Sequence, residues 1–427
     1  MRNRRSEPPL LNNMNKERRP SFEHRQRQQK RTRCLVAAVT ILGLIGVLII
    51  GAAVYLYIQS LQAETETREN NDYMRKLVRQ INDAPNITWK AKFNKFGIKK
   101  KSYGFQYTRN ATAVQEYFDE ITKFYNSEQM KQHLKQLADY PDADVPKSFD
   151  ARMKWPHCPS ISNIPNQGGC GSCFAVAAVG VAADRACIHS NGTHKALFSE
   201  EDVLGCCSVC GNCYGGDPLK ALTYWVNEGL VTGGRDGCRP YSFDRSCGVP
   251  CSPATFFDAE QRRTCVRRCQ NIYYQNSYDE DKHYASFAYS LYPRSMTISA
   301  DGTVREKVPT IIGHFNSTAT TPLNLTEIRT ILMKEISMFG PTTMAFPVPE
   351  EFLSYASGVF RPFPNEDFND RIIYWHVVRL IGWGYEEDGS HYWLAINSFG
   401  NHWGDGGSFK INTDSMEKYG LEYETAL

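Results

Sequence analysis

Between Cys34 and Ile58 the chain carries no charged residue, and that run limits the fold before any other feature does. A helix of this length, at 1.5 Å per residue, reaches roughly 35 Å, enough to cross the ~30 Å hydrocarbon core of a bilayer. Lipid offers no partner for backbone N–H and C=O groups, so a helix is the only single-segment solution. A cleaved signal peptide has a shorter apolar core of about 7–15 residues. An uncleaved anchor is therefore expected, although Ala63 leaves late cleavage open. Residues 1–33 hold eleven Lys/Arg against Glu7, Glu17 and Glu23, a net +8, which leaves −5 for the rest of a chain whose total is +3 (3 minus 8). This tail, rich in Arg, Asn and Gln, reads as disordered and cytosolic. Its charges are topogenic, with anionic lipid within their reach. Tyr55 and Tyr57 would sit near the far interface, and everything from about Gln59 onward would be lumenal or extracellular. The acidic remainder offers no basic surface for nucleic acid.

Thirteen of the fourteen cysteines lie between Cys158 and Cys269, the other being Cys34. An oxidising lumen would make that cluster a disulfide framework, whereas a reducing cytosol would leave thiols or a metal site. Cys206-Cys207-x-x-Cys210-x-x-Cys213 has zinc-like spacing, but no second half with His spacing follows, so no metal or cofactor is expected. Asn-x-Thr sequons at Asn86, Asn110, Asn191, Asn316 and Asn324 all lie on the lumenal side of the apolar run.

Residues 65–140 are polar and free of cysteine, with helical patterning around Tyr73–Ile81 and Ala113–Leu137. By composition they form a small helical domain or stalk. Tyr140-Pro-Asp-Ala-Asp-Val-Pro reads as an exposed linker of the kind proteases cut. After Val145 helices come first, for example Leu219–Glu228 ending at Gly229. Aromatic strand-like segments with glycine turns follow from Val377 to Ile411. That order predicts an α+β domain of two packed lobes, with a cleft between them as the binding site.

The chemistry centres on Gln167–Ala178, QGGCGSCFAVAA. Gly168, Gly169 and Gly171 permit a tight backbone approach, and the small apolar run places Cys173 at the first turn of a buried helix. Unpaired N–H groups and the helix dipole there favour an anion, biasing the thiol toward a thiolate nucleophile. A nucleophile needs a base and something to orient that base. His376 heads a strand pattern, Trp375-His-Val-Val-Arg-Leu-Ile-Gly-Trp-Gly, and the apolar strand Trp393-Leu-Ala-Ile ends at Asn397, whose amide can fix an imidazole.

From about Val145 to the end, the chain resembles a cathepsin B-like cysteine protease of the papain family. The likeness is carried by SFDARMKWPHCP (Ser148–Pro159), QGGCGSCF (Gln167–Phe174), DRACIH (Asp184–His189), GCRPY (Gly237–Tyr241), DKHY (Asp281–Tyr284), GWG (Gly382–Gly384) and WGDGGSFKI (Trp403–Ile411). ITWKAKFN (Ile87–Asn94) resembles the family's propeptide. The resemblance, over roughly residues 70–427, implies an α+β, papain-like fold with a helical left lobe and a β-barrel-like right lobe, preceded by a helical propeptide; the one transmembrane helix comes from the apolar run at 34–58. The implied boundaries are a tail at 1–33, a signal-anchor at 34–58, a propeptide at 59–144 and a peptidase domain at 145–427. Cys173 is then the nucleophile, His376 the general acid and base, and Asn397 the orienting residue. Gln167 and the Cys173 N–H form the oxyanion hole. Gly215 and Gly216 let substrate backbone lie close to the cleft floor, and Glu422 tolerates Arg in a substrate pocket. The implied disulfides are Cys158–Cys187, Cys170–Cys213, Cys206–Cys265, Cys207–Cys210, Cys238–Cys269 and Cys247–Cys251. Only Cys173 and Cys34 remain free, and a plain buried thiol is the expectation for Cys34, with acylation the other reading.

Partners implied are peptide or protein substrates, the chain's own propeptide as inhibitor, and a membrane reached through one N-terminal helix. The implied location is a type II membrane protein with its catalytic domain lumenal or extracellular, at the cell surface, in the secretory pathway or in an endosome or lysosome, with release on maturation left open. The sequence also departs from the family. The Cys247-Gly-Val-Pro-Cys251 ring is too short for the histidine loop that holds a substrate's C-terminal carboxylate, so endopeptidase activity without dipeptide removal is expected. Phe174 and Phe399 stand where the family has Trp, and Tyr374 and Trp375 stand where cathepsin B has glycines. Trp375 is expected to narrow either the leaving-group side or the neighbouring pocket, which leaves substrate preference open. A segment around Ser295–Thr321 reads as an inserted surface loop. The alternative to an enzyme is an inactive papain-like ectodomain used for binding.

Overall fold

The structure, a computed structural model, describes residues 22–94, 119–248, 250–251, 264–291, 310–362, 371–419, 421 and 425–427. The chain divides into two compact units, Met1–Arg68 and Glu69–Leu427. The first unit is helical from residue 22 and belongs to α1 (Phe22–Asp83). Within it Arg25–Gln62 is long and apolar enough to cross a membrane. Residues 22–33, expected to be disordered, are helical here because Arg and Gln are good helix formers joined to a strong apolar helix. Leu, Ile and Val side chains of this segment are exposed, and so is the Cys34 thiol, which the sequence reading had placed in a buried setting.

In the second unit the last turns of α1 bury Met74, Leu77 and Ile81, the one-face spacing of an amphipathic helix. Strand β1 (Trp89–Ala91) then adds to the main sheet. A helix α2 (119–125) and α3 (Glu128–Asp139) occupy most of the expected Ala113–Leu137 stretch, whose residues 113–118 lie outside the described residues. Ser127 splits the two, its hydroxyl capping α3 by accepting from the Met130 N–H. The linker residues Pro141–Asp144 are exposed, with a short 3₁₀ turn at Asp142–Asp144.

Helices α4 (Ala151–Lys154), α5 (Cys173–His189), α6 (Glu200–Cys206) and α7 (Pro218–Asn227) come next, with β2 (Phe149–Asp150) before them and the β3–β4 hairpin (Gly211–Asn212 and Gly215–Gly216) among them. Asp217 caps α7, and Gly229, at φ +75, follows its end. Then come α8 (Ile311–Thr318) and α9 (Leu325–Phe339). Strands β5 (Thr342–Pro349), β6 (Tyr355–Phe360), β7 (Ile372–Tyr385), β8 (His391–Ile396) and β9 (Ser408–Asn412) close the chain. The part of the 295–321 segment that is described begins as helix α8, not loop, and Ile311 and Ile312 bury their side chains.

The main sheet runs β1-β6-β9-β8-β7-β2, with β5 also paired to β7. Its edge strands β1 and β2 do not meet, so among the described residues the sheet is open, correcting the barrel-like closure expected for this lobe. One apolar cluster joins the sheet's aromatic side chains, Phe346, Phe352, Trp393, Trp403 and Phe409 among them, to the buried face of α9. A second joins α5, α6 and α7 around Phe174 and Phe198. These are the two expected lobes, each with its own core. Between them, Asp184 on α5 meets Arg379 on β7 at 2.9 Å, both buried, and Arg379 also donates to the carbonyls of Ser160 and Asn163. All six disulfides that the resemblance implies are bonded. The zinc-like cysteines are thereby oxidised, which removes the metal reading, and no cluster able to hold a metal occurs among the described residues.

Candidate active site

Cys173 is the first residue of α5, and the glycines before it make the approach possible. Gly168 has φ +58, and any side chain there would come within 2.1 Å of the Asp244 carbonyl oxygen. The loop is pinned by the Gly169 N–H donating to Asp244 at 2.8 Å and the Gly171 N–H donating to Cys213 at 2.8 Å. Ser172 makes no side-chain cap, so first-turn N–H groups are left over. Those of Phe174 and Cys173, together with the Val377 N–H from β7, act to lower the Cys173 thiol. The strand that carries His376 therefore meets the helix that carries Cys173.

Burial is the larger influence on the thiol. Cys173 is 8% exposed, and desolvation pushes it up to about 11 in spite of the three N–H groups. The helix N-terminus was expected to favour the thiolate, and in this closed arrangement it is outweighed by the loss of water. His376 is fully buried and pushed down to about 4 by the same loss of water, an effect only partly offset by its hydrogen bond to Asn397. Burial thus shifts both groups toward their uncharged forms, the thiol upward and the imidazole downward.

His376 is the fifth residue of β7, not its head, because Ile372–Tyr374 extend the pairing with β5. Its Nε2–H donates to Asn397 Oδ1 at 2.8 Å, and that oxygen also accepts the Ser398 N–H at 2.7 Å. The proton therefore sits on Nε2, and the buried Nδ1, which has no hydrogen-bond partner among the described residues, keeps its lone pair. Phe399 stacks on the ring at 4.8 Å, and the edge of Trp403 meets Phe399 at 5.3 Å. The Phe399 ring thus covers one face of the imidazole with apolar surface.

Gln167 is buried beside the nucleophile. Its Nε2 donates to the Cys170 carbonyl at 3.0 Å, and its Oε1 accepts the Ser398 hydroxyl at 2.6 Å. Tyr241 holds the same loop, donating to the Gln167 carbonyl at 2.6 Å and bonding Ser172 at 2.7 Å. Gly215 and Gly216 line the hairpin opposite, where a side chain on Gly216 would meet Phe174 Cζ at 2.6 Å. That glycine makes room for the Phe174 ring, a second reason for its presence beyond substrate access. Glu422 lies outside the described residues.

Of the sequon asparagines, Asn86 and Asn191 are exposed at positive φ, and Asn110 lies outside the described residues. Asn316 and Asn324 are partly exposed, Asn324 capping α9. Sequence reasoning missed the Ser398 contact, Tyr241 and the Asp184–Arg379 tie. Asp184 and Tyr241 stood inside quoted motifs, but nothing local marks a partner far along the chain.

Comparison with known proteins agrees with this geometry. Residues 145–427 match the model of the papain family cysteine proteases. Cathepsin B-like cysteine proteinase 4 of Caenorhabditis elegans is 36% identical over 294 residues, covering 67% of this chain and 75% of its own. A cathepsin B-like cysteine proteinase of Schistosoma japonicum is 32% identical over 366 residues, 82% of this chain and 90% of its own, so the likeness extends N-terminal of residue 145. Among solved structures, procathepsin B S9 from Trypanosoma congolense superposes with a TM-score of 0.53 at 22% identity, over 82% of this chain and 96% of that one. Procathepsin L2 of Tenebrio molitor does so at 0.53 and 17%, over 86% and 92%. The fold and these matches lead to one conclusion, that the chain belongs to the papain family of cysteine proteases and is cathepsin B-like within it.

Proposed function

We propose that the chain is a membrane-anchored zymogen of a cysteine endopeptidase, with Cys173, His376, Asn397 and Gln167 as its machinery. The observation that carries this reading is the His376 Nε2–H bond to Asn397, which leaves Nδ1 open beside the strand whose Val377 N–H reaches the Cys173 sulfur. In the active form His376 takes the thiol proton and the thiolate attacks the scissile carbonyl. The Gln167 amide and the Cys173 N–H receive the developing oxyanion. His376 then gives its proton to the leaving amine, and water, deprotonated by the same ring, releases the acyl group from sulfur.

Residues 59–144 act as the propeptide. Three features support this: β1 is paired to the sheet edge, Ile121 is buried in the cluster that holds Cys173, and the exposed Pro141–Asp144 segment is open to a protease. The closed, neutral site is what a dormant form requires, and removing the propeptide readmits water and lets the ion pair form. Residues 34–58 anchor the chain with the catalytic domain in the lumen or outside the cell, where six disulfides persist. The short Cys247–Cys251 ring, which carries no histidine, supports loss of dipeptide removal from C-termini.

An epoxide or diazomethyl-ketone probe tests the reading. After acid activation it should label Cys173, and labelling should vanish in Cys173→Ala. No labelling of a folded, processed protein would leave the inactive-ectodomain reading. The same preparation should cut internal bonds and fail to trim dipeptides from free C-termini, and efficient trimming would overturn the endopeptidase assignment.

A further inference from the structure

The loop from Gln167 to Ser172 has a proposed oxyanion donor at each end, the Gln167 side-chain amide at one and, next to Ser172, the Cys173 N–H at the other. A single phenol joins those ends. The Tyr241 hydroxyl donates to the Gln167 carbonyl at 2.6 Å and lies 2.7 Å from the Ser172 hydroxyl. A carbonyl can only accept, so the one phenol proton is committed to Gln167 and Ser172 has to be the donor to the phenol oxygen. Loss of water raises the Tyr241 hydroxyl well above the usual tyrosine range, which keeps that proton in place. Ser172 O–H, Tyr241 O–H and the Gln167 carbonyl thus form a one-way chain. Ser172 stands at the N-cap of α5, where a serine hydroxyl ordinarily accepts a first-turn N–H, and here it makes no such bond. Turned to Tyr241, it leaves those N–H groups open to an anion.

The phenol is itself held. Its ring packs on the cluster of α5, α6 and α7, with the Phe243 ring at 5.0 Å and the Arg245 guanidinium over it at 5.5 Å. Ser242 is fixed to Glu201 on α6 through its N–H at 3.1 Å and its hydroxyl at 3.0 Å. The Asp244 carbonyl takes the Gly169 N–H at 2.8 Å, in the middle of the same loop. One short segment, Tyr241–Asp244, therefore braces the loop at both ends and at its centre. Ser398 and the Cys170 carbonyl aim the Gln167 amide, but they act on its side chain and not on its main chain.

We propose that Tyr241 is a positioning residue of the oxyanion pocket, its hydroxyl setting the separation between the Gln167 amide and the Cys173 N–H. This rests on the assignment of Cys173 and Gln167 above. Donors stabilise a developing charge only at the place where it forms, so a loosened loop end slows attack on a carbonyl and leaves the sulfur's own reactivity as it was.

The experiment takes the full-length chain through acid activation as wild type, Tyr241→Phe, Ser172→Ala, Gln167→Ala and the Tyr241→Phe, Gln167→Ala double variant, each counted by epoxide titration of Cys173. Hydrolysis of an internally quenched peptide gives kcat and KM. Exchange with 2,2′-dipyridyl disulfide, in which the Cys173 thiolate bonds to one sulfur and pyridine-2-thione leaves with the other, reads the nucleophile without any carbonyl or oxyanion. Tyr241→Phe should lower kcat about tenfold, less than the ~10²–10³ for a donor removed outright, with KM and the pH profile of disulfide exchange unchanged. In the Gln167→Ala background the same change should add less than about twofold, because one donor alone has no separation to set. Unchanged kcat in Tyr241→Phe, an equal fall in disulfide exchange, or additive losses in the double variant overturns the assignment. Should Tyr241→Phe fail to fold, Ser172→Ala, which breaks the other bond of the chain, decides by the same readouts. Wild type that takes no epoxide label, or Gln167→Ala with full kcat, sinks the oxyanion reading and this proposal with it. That outcome is distinct from a labelled enzyme in which Gln167→Ala is slow and Tyr241→Phe is not.

Discussion

Three backbone N–H groups favour a thiolate at Cys173 and are outweighed, because burial removes the water that would solvate its charge. Raised to about 11, it offers almost no thiolate at neutral pH, and His376, lowered to about 4, stays neutral beside it. Alkylation of the intact zymogen by iodoacetamide should therefore be slow at pH 6 and climb about tenfold per pH unit toward 11. The processed enzyme should react fast and with little pH dependence between 5 and 8, since an ion pair replaces the neutral pair. Equal rates at pH 6 for the two forms would contradict this account. Gln167 can be tested by the same enzyme: Gln167→Ala should lower kcat by about 10²–10³-fold, the usual loss for one oxyanion donor, with KM nearly unchanged. Loss of KM alone would assign Gln167 to binding. Cys173, His376 and Asn397 were legible as candidate site residues from their motifs. The sign of the thiol's shift was not, because sequence shows a helix start but not how much water reaches it.

At the scale of elements, α3 is fastened to α5 and α9 by a buried polar group. His133 on α3 meets Glu335 on α9 at 2.7 Å, Arg185 on α5 meets Glu335 at 3.0 Å, and the Tyr289 hydroxyl donates to Glu335 at 2.5 Å. Burial alone would raise Glu335, but His133, Arg185 and Tyr289 reverse it and hold the carboxyl down at about 2. A carboxylate lowered from 4.5 to about 2 stabilises the folded form by about 3 kcal/mol above its unfolded value. That contribution is lost only as pH falls from 4.5 toward 2. Zymogen stability measured from pH 7 to 3 should show a Glu335→Gln penalty that is constant down to about pH 4.5 and shrinks below it. A penalty that disappears already at pH 6 would mean Glu335 is not the ionised member. Acidification to pH 5 does not break this fastening, so loss of the proposed propeptide has to begin with cleavage near Pro141–Asp144. The sequence indicated α3 by its patterning but gave His133 no role, since Glu335 lies 202 positions away.

Across the whole molecule, the N-terminal helix is long and apolar enough to be the proposed anchor, and the second unit carries the residues that match the papain family. Deleting residues 1–62 and directing the remainder to the secretory pathway should move the protein from the carbonate-washed membrane pellet to the soluble fraction, with activity per labelled Cys173 unchanged. A pellet-bound truncation would argue against residues 34–58 as the anchor. What the sequence determined by itself is whatever local chemistry enforces: the uncharged span, the glycine-framed Cys173, the sequons, and the order of helices before strands. Family likeness added the six disulfide pairs, which spacing alone leaves among many connectivities. The tertiary structure decided the open sheet, the helix at Ile311–Thr318, the burial that raises Cys173 and lowers His376, and the faces of β7 from which Tyr374 and Trp375 leave. Each depends on which face a side chain takes once distant strands pair, and on how much water that pairing excludes. No stretch of sequence carries either quantity until Asp184 and Arg379 have brought the two lobes together.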